Sequence, residues 1–355
     1  MSALIFTDPH FHAHPAFARH LPDKGYSTRV EEGLRTLDWL VETAHEREVD
    51  TVICLGDVFH VPGFLDPIVA YEVSARFQKF MINGRKLVII GGNHDVAGSQ
   101  HSSIGVLPGI TVWRENLSVH IQDIGHVWCC PWTHNLNPKA GYKGCVESPK
   151  YMFGHFICHD VEVATGHRIH GLETVDRAFI EQFDQVLLGD AHTHQVIGNT
   201  TYLGSVLKNS FNDDGERGYA FIMEPGGPKG FTLEKVTNPF SPVFLRLSTA
   251  IRPVGELLDW IDAAVLETDP HGTSVYLDIQ ASPKDAAKIE KRFRKTTLRM
   301  RTRPLVEQKE TEEVRLQTRG SEGPTDVIRQ YVAHNLGESE AAADALVKKG
   351  EEYLK

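Results

Sequence analysis

Long apolar runs are missing from this chain. No stretch of the 355 residues approaches the length that crosses a bilayer, so no membrane partner is expected. The start, Met1-Ser2-Ala3-Leu4-Ile5-Phe6, has no basic segment ahead of a hydrophobic one, and no secretory leader is expected from it. Cysteine is scarce and odd in number: Cys54, Cys129, Cys130, Cys145 and Cys158, with no CxxC pair among them. That argues against a disulfide framework and against a zinc ribbon, and the thiols read as reduced. Positive charge is also lacking. The net charge is -10, so no global attraction to nucleic acid is expected, and any such binding needs a local basic patch or metal ions. Internal repeats and low-complexity tracts are absent. What is abundant is histidine, at 19 residues, most of them before residue 200. This asymmetry points to metal or acid–base chemistry in the first part of the chain.

Hydrophobic residues make up 41% and charged residues 24%, enough to build a core without staples. The run Ala3 to Thr7 reads as a buried strand. Residues 29 to 48 have helical spacing, Thr51 to Leu55 reads as a second strand, 67 to 83 as a helix, and Lys86 to Ile90 as a third strand. Further strands are expected at 127–132, 151–154, 185–189, 201–204 and 218–223. This alternation predicts a layered α/β domain over residues 1–238, with ligands gathering at the strand ends. Residues 239–305 read β-α-β-α-β, a small α+β domain. Residues 306–324 are polar and read as a linker. Residues 325–355 read as two amphipathic helices that need a surface to dock on.

Three short motifs end the first three strands: Asp8-Pro9-His10, Gly56-Asp57-Val58-Phe59-His60, and Gly92-Asn93-His94-Asp95. Gly154-His155 and Gly189-Asp190-Ala191-His192 end two later ones. Carboxylates and imidazoles together suit divalent ions of the manganese, iron or zinc type. Asp8 and His10 are assigned to one ion, Asp57 bridges to a second, and Asn93 offers that second ion a neutral oxygen. His155, Asp190 and His192 close the shell. His94 is placed to act on a leaving group, and His60 to support a phosphate or a neighbouring ligand. A second register, with His192 and His194 as the pair, stays open.

The whole series resembles the calcineurin-like metallophosphoesterase superfamily. Within it, the nearest likeness is to Mre11/SbcD-type DNA nucleases, including phage members. His60 after the bridging aspartate fits that resemblance. So does the run Tyr202-Leu203-Gly204-Ser205 continuing to Asp213. The likeness covers about residues 3 to 223. It departs at Asp190, where the family usually has histidine; a carboxylate there favours harder ions. The resemblance implies a β-sandwich flanked by helices, with two divalent ions, Mn2+ first and Mg2+ second. It implies exonuclease and single-strand endonuclease action on DNA, in end processing, repair or recombination. It also implies a capping role for residues 239–305 and docking of the C-terminal helices on a Rad50/SbcC-like SMC ATPase. A second copy of the chain is a further partner it allows. The setting it implies is cytoplasmic, in a bacterial cell or in a phage's host.

Lys284, Lys288, Lys291, Arg292, Arg294, Lys295, Arg299, Arg301 and Arg303 form a local basic excess that could grip phosphates, or simply a solvated helix face beside an edge strand. Two rival readings stand beside the nuclease: a phosphoesterase acting on a small ester or cyclic nucleotide, and a non-catalytic DNA-end-binding scaffold with a degenerate metal site.

Overall fold

The computed structural model describes residues 2–14, 16–97, 101–122, 124–144, 149–162, 168–171, 175–213, 217–226, 230–268, 274–293 and 299–305. The expected linker and C-terminal helical pair lie outside the described residues, as do Cys145, Arg294 and Lys295.

Two six-stranded sheets form the body. We label the strands β1 (Ala3–Phe6), β2 (Thr51–Cys54), β3 (Lys86–Ile90), β4 (Thr111–Trp113), β5 (Leu117–Ile121), β6 (Gly125–Cys130), β7 (Tyr151–His155), β8 (Gln185–Gly189), β9 (Gln195–Ile197), β10 (Thr200–Tyr202), β11 (Tyr219–Pro225) and β12 (Phe231–Thr237). The first sheet runs β12-β11-β1-β2-β3-β4 and the second β9-β10-β8-β7-β6-β5. Successive side chains on a strand point to opposite faces, and here both faces are apolar. Ala3 and Ile5 of β1, with Ile53 of β2, face a core shared with Val127 and Cys129 of β6, Phe153 of β7 and Leu187 of β8. The alternate residues Leu4, Phe6, Val52 and Cys54 face the helices α1 (Thr28–Glu46) and α2 (Pro67–Phe80). On the far side of the second sheet, Trp128, Met152 and Leu188 pack with Phe179 and Phe183. The result is a β-sandwich flanked by helices.

Local chemistry sets the helix starts. Asp66 accepts hydrogen bonds from the Ile68 and Val69 amides at 2.9 and 3.1 Å, and Pro67 occupies the first turn, where its missing N–H costs nothing. The sequence pattern does not predict β4, β5, β9 or β12. All four are sheet edges. In β5 and β12 polar residues (Ser118, His120, Thr232, Glu234) alternate with apolar ones, so no continuous apolar run marks them. Cys54, Cys129, Cys130 and Cys158 are buried free thiols, and burial raises the pKa of each. Among the described residues, no helix is long and apolar enough to cross a membrane.

A third, three-stranded parallel sheet follows: β13 (Val243–Ser248), β14 (Val275–Ala281) and β15 (Arg299–Pro304), with helices α3 (Val254–Thr268) and α4 (Pro283–Phe293). It has a core of its own, with Leu257, Ile261, Leu277, Ile279 and Ile289. A buried polar cluster ties it to α1. Glu32 accepts from the Tyr276 hydroxyl at 2.7 Å, pairs with Arg29 at 2.9 Å, and pairs with Arg299 at 2.9 Å. Tyr276 stacks on Phe244 with ring centroids 4.6 Å apart. Removing one partner from a buried ionic cluster leaves uncompensated charge. Glu32→Ala should therefore cost about 3–5 kcal/mol of stability in urea denaturation, against about 1 kcal/mol for Tyr276→Phe, which removes one neutral donor.

Candidate metal centre

Register brings the motifs together. β1 pairs in parallel with β2 (Phe6 opposite Cys54), and β2 with β3 (Cys54 opposite Ile89), so the residues after each strand emerge side by side. Loop hydrogen bonds lock them: Asp8 N–H donates to the Gly56 carbonyl at 3.1 Å and His10 N–H to the Asp57 carbonyl at 3.0 Å. In the second sheet His155 lies opposite Gly189. Glycine is required where these loops touch. A Cβ on Gly92 would collide with Asp57 Oδ1, and one on Gly189 would collide with Thr7 Oγ1 and lie 2.6 Å from His155 Nδ1. The donors themselves turn sharply, with positive φ at Asp8 (52°), His10 (45°), Asp57 (56°) and Asp190 (80°), a region that L side chains rarely adopt.

Side chains from both sheets converge. His10 Nε2 lies 3.4 Å from Asp57 Oδ2, 3.8 Å from Asp8 Oδ1 and 3.1 Å from His192 Nε2. His155 Nε2 lies 3.3 Å from Asp57 Oδ1 and 3.9 Å from both Asp8 Oδ1 and Asp190 Oδ1. Asp57 thus presents one oxygen to each histidine. The donor atoms of Asp8, His10 and His192 lie within 4.8 Å of one another, and so do those of Asp8, Asp57 and His155. Asp8, His10, Asp57 and His155 are all nearly inaccessible to solvent.

Three observations fit cations in this space. Asp8 Oδ1 is buried and has no hydrogen-bond partner among the described residues. The Asn93 amide end sits 3.0 Å from His155 Nε2 and 3.1 and 3.2 Å from the two Asp57 oxygens. With its oxygen inward, Asn93 is repelled by Asp57 unless positive charge lies between them. Burial and the neighbouring Asp57 charge also disfavour ionising Asp8, whose pKa is raised. Three carboxylates gathered with neutral ligands are the donor set of a hard or borderline divalent pair.

Supporting contacts orient the donors. Asp213 accepts from His192 Nδ1 at 2.8 Å, which turns Nε2 toward Asp8 and His10. Burial opposes charge on His192, but the Asp213 hydrogen bond outweighs it and lifts the imidazole to about 9. Burial likewise opposes charge on His155, yet Asp57 and Asp8 hold its pKa well above the usual value. Asp95 is fully buried and accepts from the backbone amides of Asp57, Val58, Phe59 and Gly92, clamping the bridging loop to the Asn93 loop. Neither Asp213 nor Asp95 is singled out by the sequence, although both lie inside the quoted motifs. Their signal is a carboxylate that closes a motif without being a ligand itself.

His94 and His60 stack 5.6 Å apart beside His10, and the His94 Nδ1 hydrogen-bonds the His60 carbonyl. Donation from Nδ1 leaves His94 Nε2 for a substrate. Burial and the His94 ring lower His60 to about 4, so it is neutral at ordinary pH. His12 and His14 extend the imidazole cluster, His14 lowered to about 3 mainly by burial. Asp190 turns its carboxylate toward His155, whereas His194 turns away: its Nδ1 meets the Tyr202 carbonyl at 2.9 Å and its ring packs on Phe221.

Comparison with known proteins gives three findings. The profile of the calcineurin-like phosphoesterase family matches residues 1–198. The chain is similar to SbcD, the D component of nuclease SbcCD, of Escherichia coli (strain K12) and of Escherichia coli O157:H7. Each is 25% identical over 313 residues, covering 74% of this chain and 75% of the relative. The chain is also similar to the crystal structure of Pseudomonas putida nuclease MPE, at 16% identity over 65% of this chain and 87% of that one, with a TM-score of 0.32. That last likeness carries no part of the argument.

Two outcomes are expected. Asp213→Asn should weaken divalent-metal affinity about 10- to 100-fold by calorimetric titration with manganese, because His192 loses its orienting partner. Protons compete with cations for His192 and His155, whose pKa values are raised. The competition eases as pH rises, so affinity should climb about tenfold per pH unit for each proton displaced between pH 7 and 9, and level off above that.

Proposed function

The chain belongs to the calcineurin-like phosphoesterase family, and we propose that within it this protein is a DNA nuclease of the Mre11/SbcD type. One observation carries the reading: Asp57 gives an oxygen each to His10 and His155 in a buried pocket, with the paired His94 and His60 rings at its rim. Asp8, His10, Asp57 and His192 would hold one divalent cation, and Asp57, Asn93, His155 and Asp190 a second. Manganese suits this oxygen-rich, imidazole-containing set, and magnesium is the harder alternative. Bound there, such ions supply Lewis acidity, which makes a water more acidic and offsets charge on phosphoryl oxygens.

The remaining steps fall to the chain's own side chains. His94 Nε2, its ring fixed by the contact to His60, gives a proton to the departing sugar oxygen as the P–O bond breaks. His60 stays neutral and holds that ring in place. Asp95 keeps the two loops in register while the phosphate is bound. The two Escherichia coli relatives are named as nucleases and as subunits, which supports DNA as the substrate and an SMC-type ATPase of the Rad50/SbcC kind as a partner, docking on residues 325–355. Residues 239–305 are assigned the role of capping the substrate, in a cytoplasmic setting that keeps the thiols reduced.

End-labelled single- and double-stranded DNA with manganese tests this. The wild type should digest DNA and hold two ions per chain by metal analysis. Asp57→Ala should lose both properties. His94→Ala should keep both ions and lose about a hundred- to ten-thousandfold in rate. Cleavage of a small phosphate ester with no attack on DNA would sink the nuclease reading, and a His94→Ala variant at the parent rate would sink the role of His94.

A further inference from the structure

The basic stretch near the end of the described chain is not one patch. Arg299 turns inward to Glu32 and Tyr276. On α4, Lys288 pairs with Asp285 and Arg292 with Asp262. Arg301 and Arg303 share a single partner. Asp278 Oδ2 lies 2.8 Å from Arg301 and 2.6 Å from Arg303, and Asp278 Oδ1 lies 2.6 Å from Arg303 Nε. The parallel register of β14 and β15 sets Arg301 opposite Asp278. Asp278 is 1% exposed, while the two arginine side chains are 48% and 45% exposed. One buried negative charge therefore fastens two guanidinium groups whose outer faces meet solvent. A structural staple needs only one of them.

The pair also sits against the loops that border the metal centre. The Arg301 guanidinium lies 5.2 Å from the Phe211 ring and 5.8 Å from the Phe17 ring, and those rings are 5.9 Å apart. Phe17 follows the loop of His10, His12 and His14, and its φ is positive at 61°. Phe211 lies in the loop that ends at Asp213, the residue that orients His192. Arg246 from the same sheet donates to Asn212 in that loop at 3.0 Å.

We propose that Arg301 and Arg303, fastened on Asp278 beside the Phe17–Phe211 ring pair, form a second phosphate station that makes the enzyme select nucleic acid strands over small phosphoesters. The inference rests on the nuclease reading and specifies its substrate class: a polyanion with phosphates on both sides of the bond to be cut. A guanidinium already held by a carboxylate loses little freedom when it meets a phosphate, and its fork matches two phosphate oxygens. A monoester or small diester has no phosphate to place there.

The test compares wild type with Arg301→Gln/Arg303→Gln on a single-stranded oligothymidylate and on bis(p-nitrophenyl) phosphate, both with manganese. The double variant should lose about tenfold or more in kcat/KM on the strand, through KM. Its log–log salt dependence should flatten by about 1.4, two phosphates at about 0.7 each. Hydrolysis of the small diester should stay unchanged. If strand cleavage is unaffected, or if both substrates suffer equally, the station is overturned while the nuclease reading stands. A wild type that hydrolyses the diester and cuts no strand overturns both. Should the double variant fail to fold, Arg303→Gln alone leaves Asp278 paired with Arg301. It is read the same way, with a slope change of about 0.7.

Discussion

Three carboxylates, Asp8, Asp57 and Asp190, are gathered around the imidazoles of His10, His155 and His192 in a pocket that is mostly shut off from water. Water cannot screen their repulsion there, so the arrangement needs compensating positive charge. The rest of the body serves that need. Parallel pairing of β1, β2 and β3 lines up the loop exits, the shared core between the sheets fixes how far apart the two groups of loops stand, and Asp95 and Asp213 hold the donors in their orientations. The sandwich is in this sense a frame for an electrostatic problem that only bound cations resolve.

Much of this is legible in the order of residues. Buried strands in the first sheet are unbroken apolar runs that end at a glycine or aspartate, and such runs are the clearest signal a sequence offers. The strand positions of Ala3, Thr51, Lys86, Tyr151 and Gln185 are therefore plain, and the donors at their ends can be named. Edge strands β5 and β12 are not visible, because half of their residues face solvent and break the pattern. The supporting carboxylates are invisible for another reason. Asp95 acts through backbone amides and Asp213 through one ring nitrogen, and neither contact depends on a spacing that can be read along the chain. The basic stretch shows the opposite failure. Its charges are obvious in sequence, but β-strand alternation and the depth of Asp278 decide that Arg299 is a buried tie while Arg301 and Arg303 face out.

The small third sheet has two kinds of link to the body. Glu32, Arg29, Tyr276 and Arg299 make a dry polar joint, and Phe17, Phe211, Phe244 and Tyr276 make an aromatic one. Directional bonds fix the orientation of the sheet, while the rings supply buried area. The metal-side loops thereby share residues with the surface that carries the outward arginines, so chemistry and strand contact are parts of one continuous piece of structure.

Four of the proposed cation-holding residues sit in a backbone conformation that favours glycine. Each such position is held against its own preference, at a cost of order 1 kcal/mol or more. Selection for folding alone would replace them with glycine. A lineage that abandoned hydrolysis would accordingly drift toward a hardier protein, exchanging chemistry at these bends for a relaxed main chain.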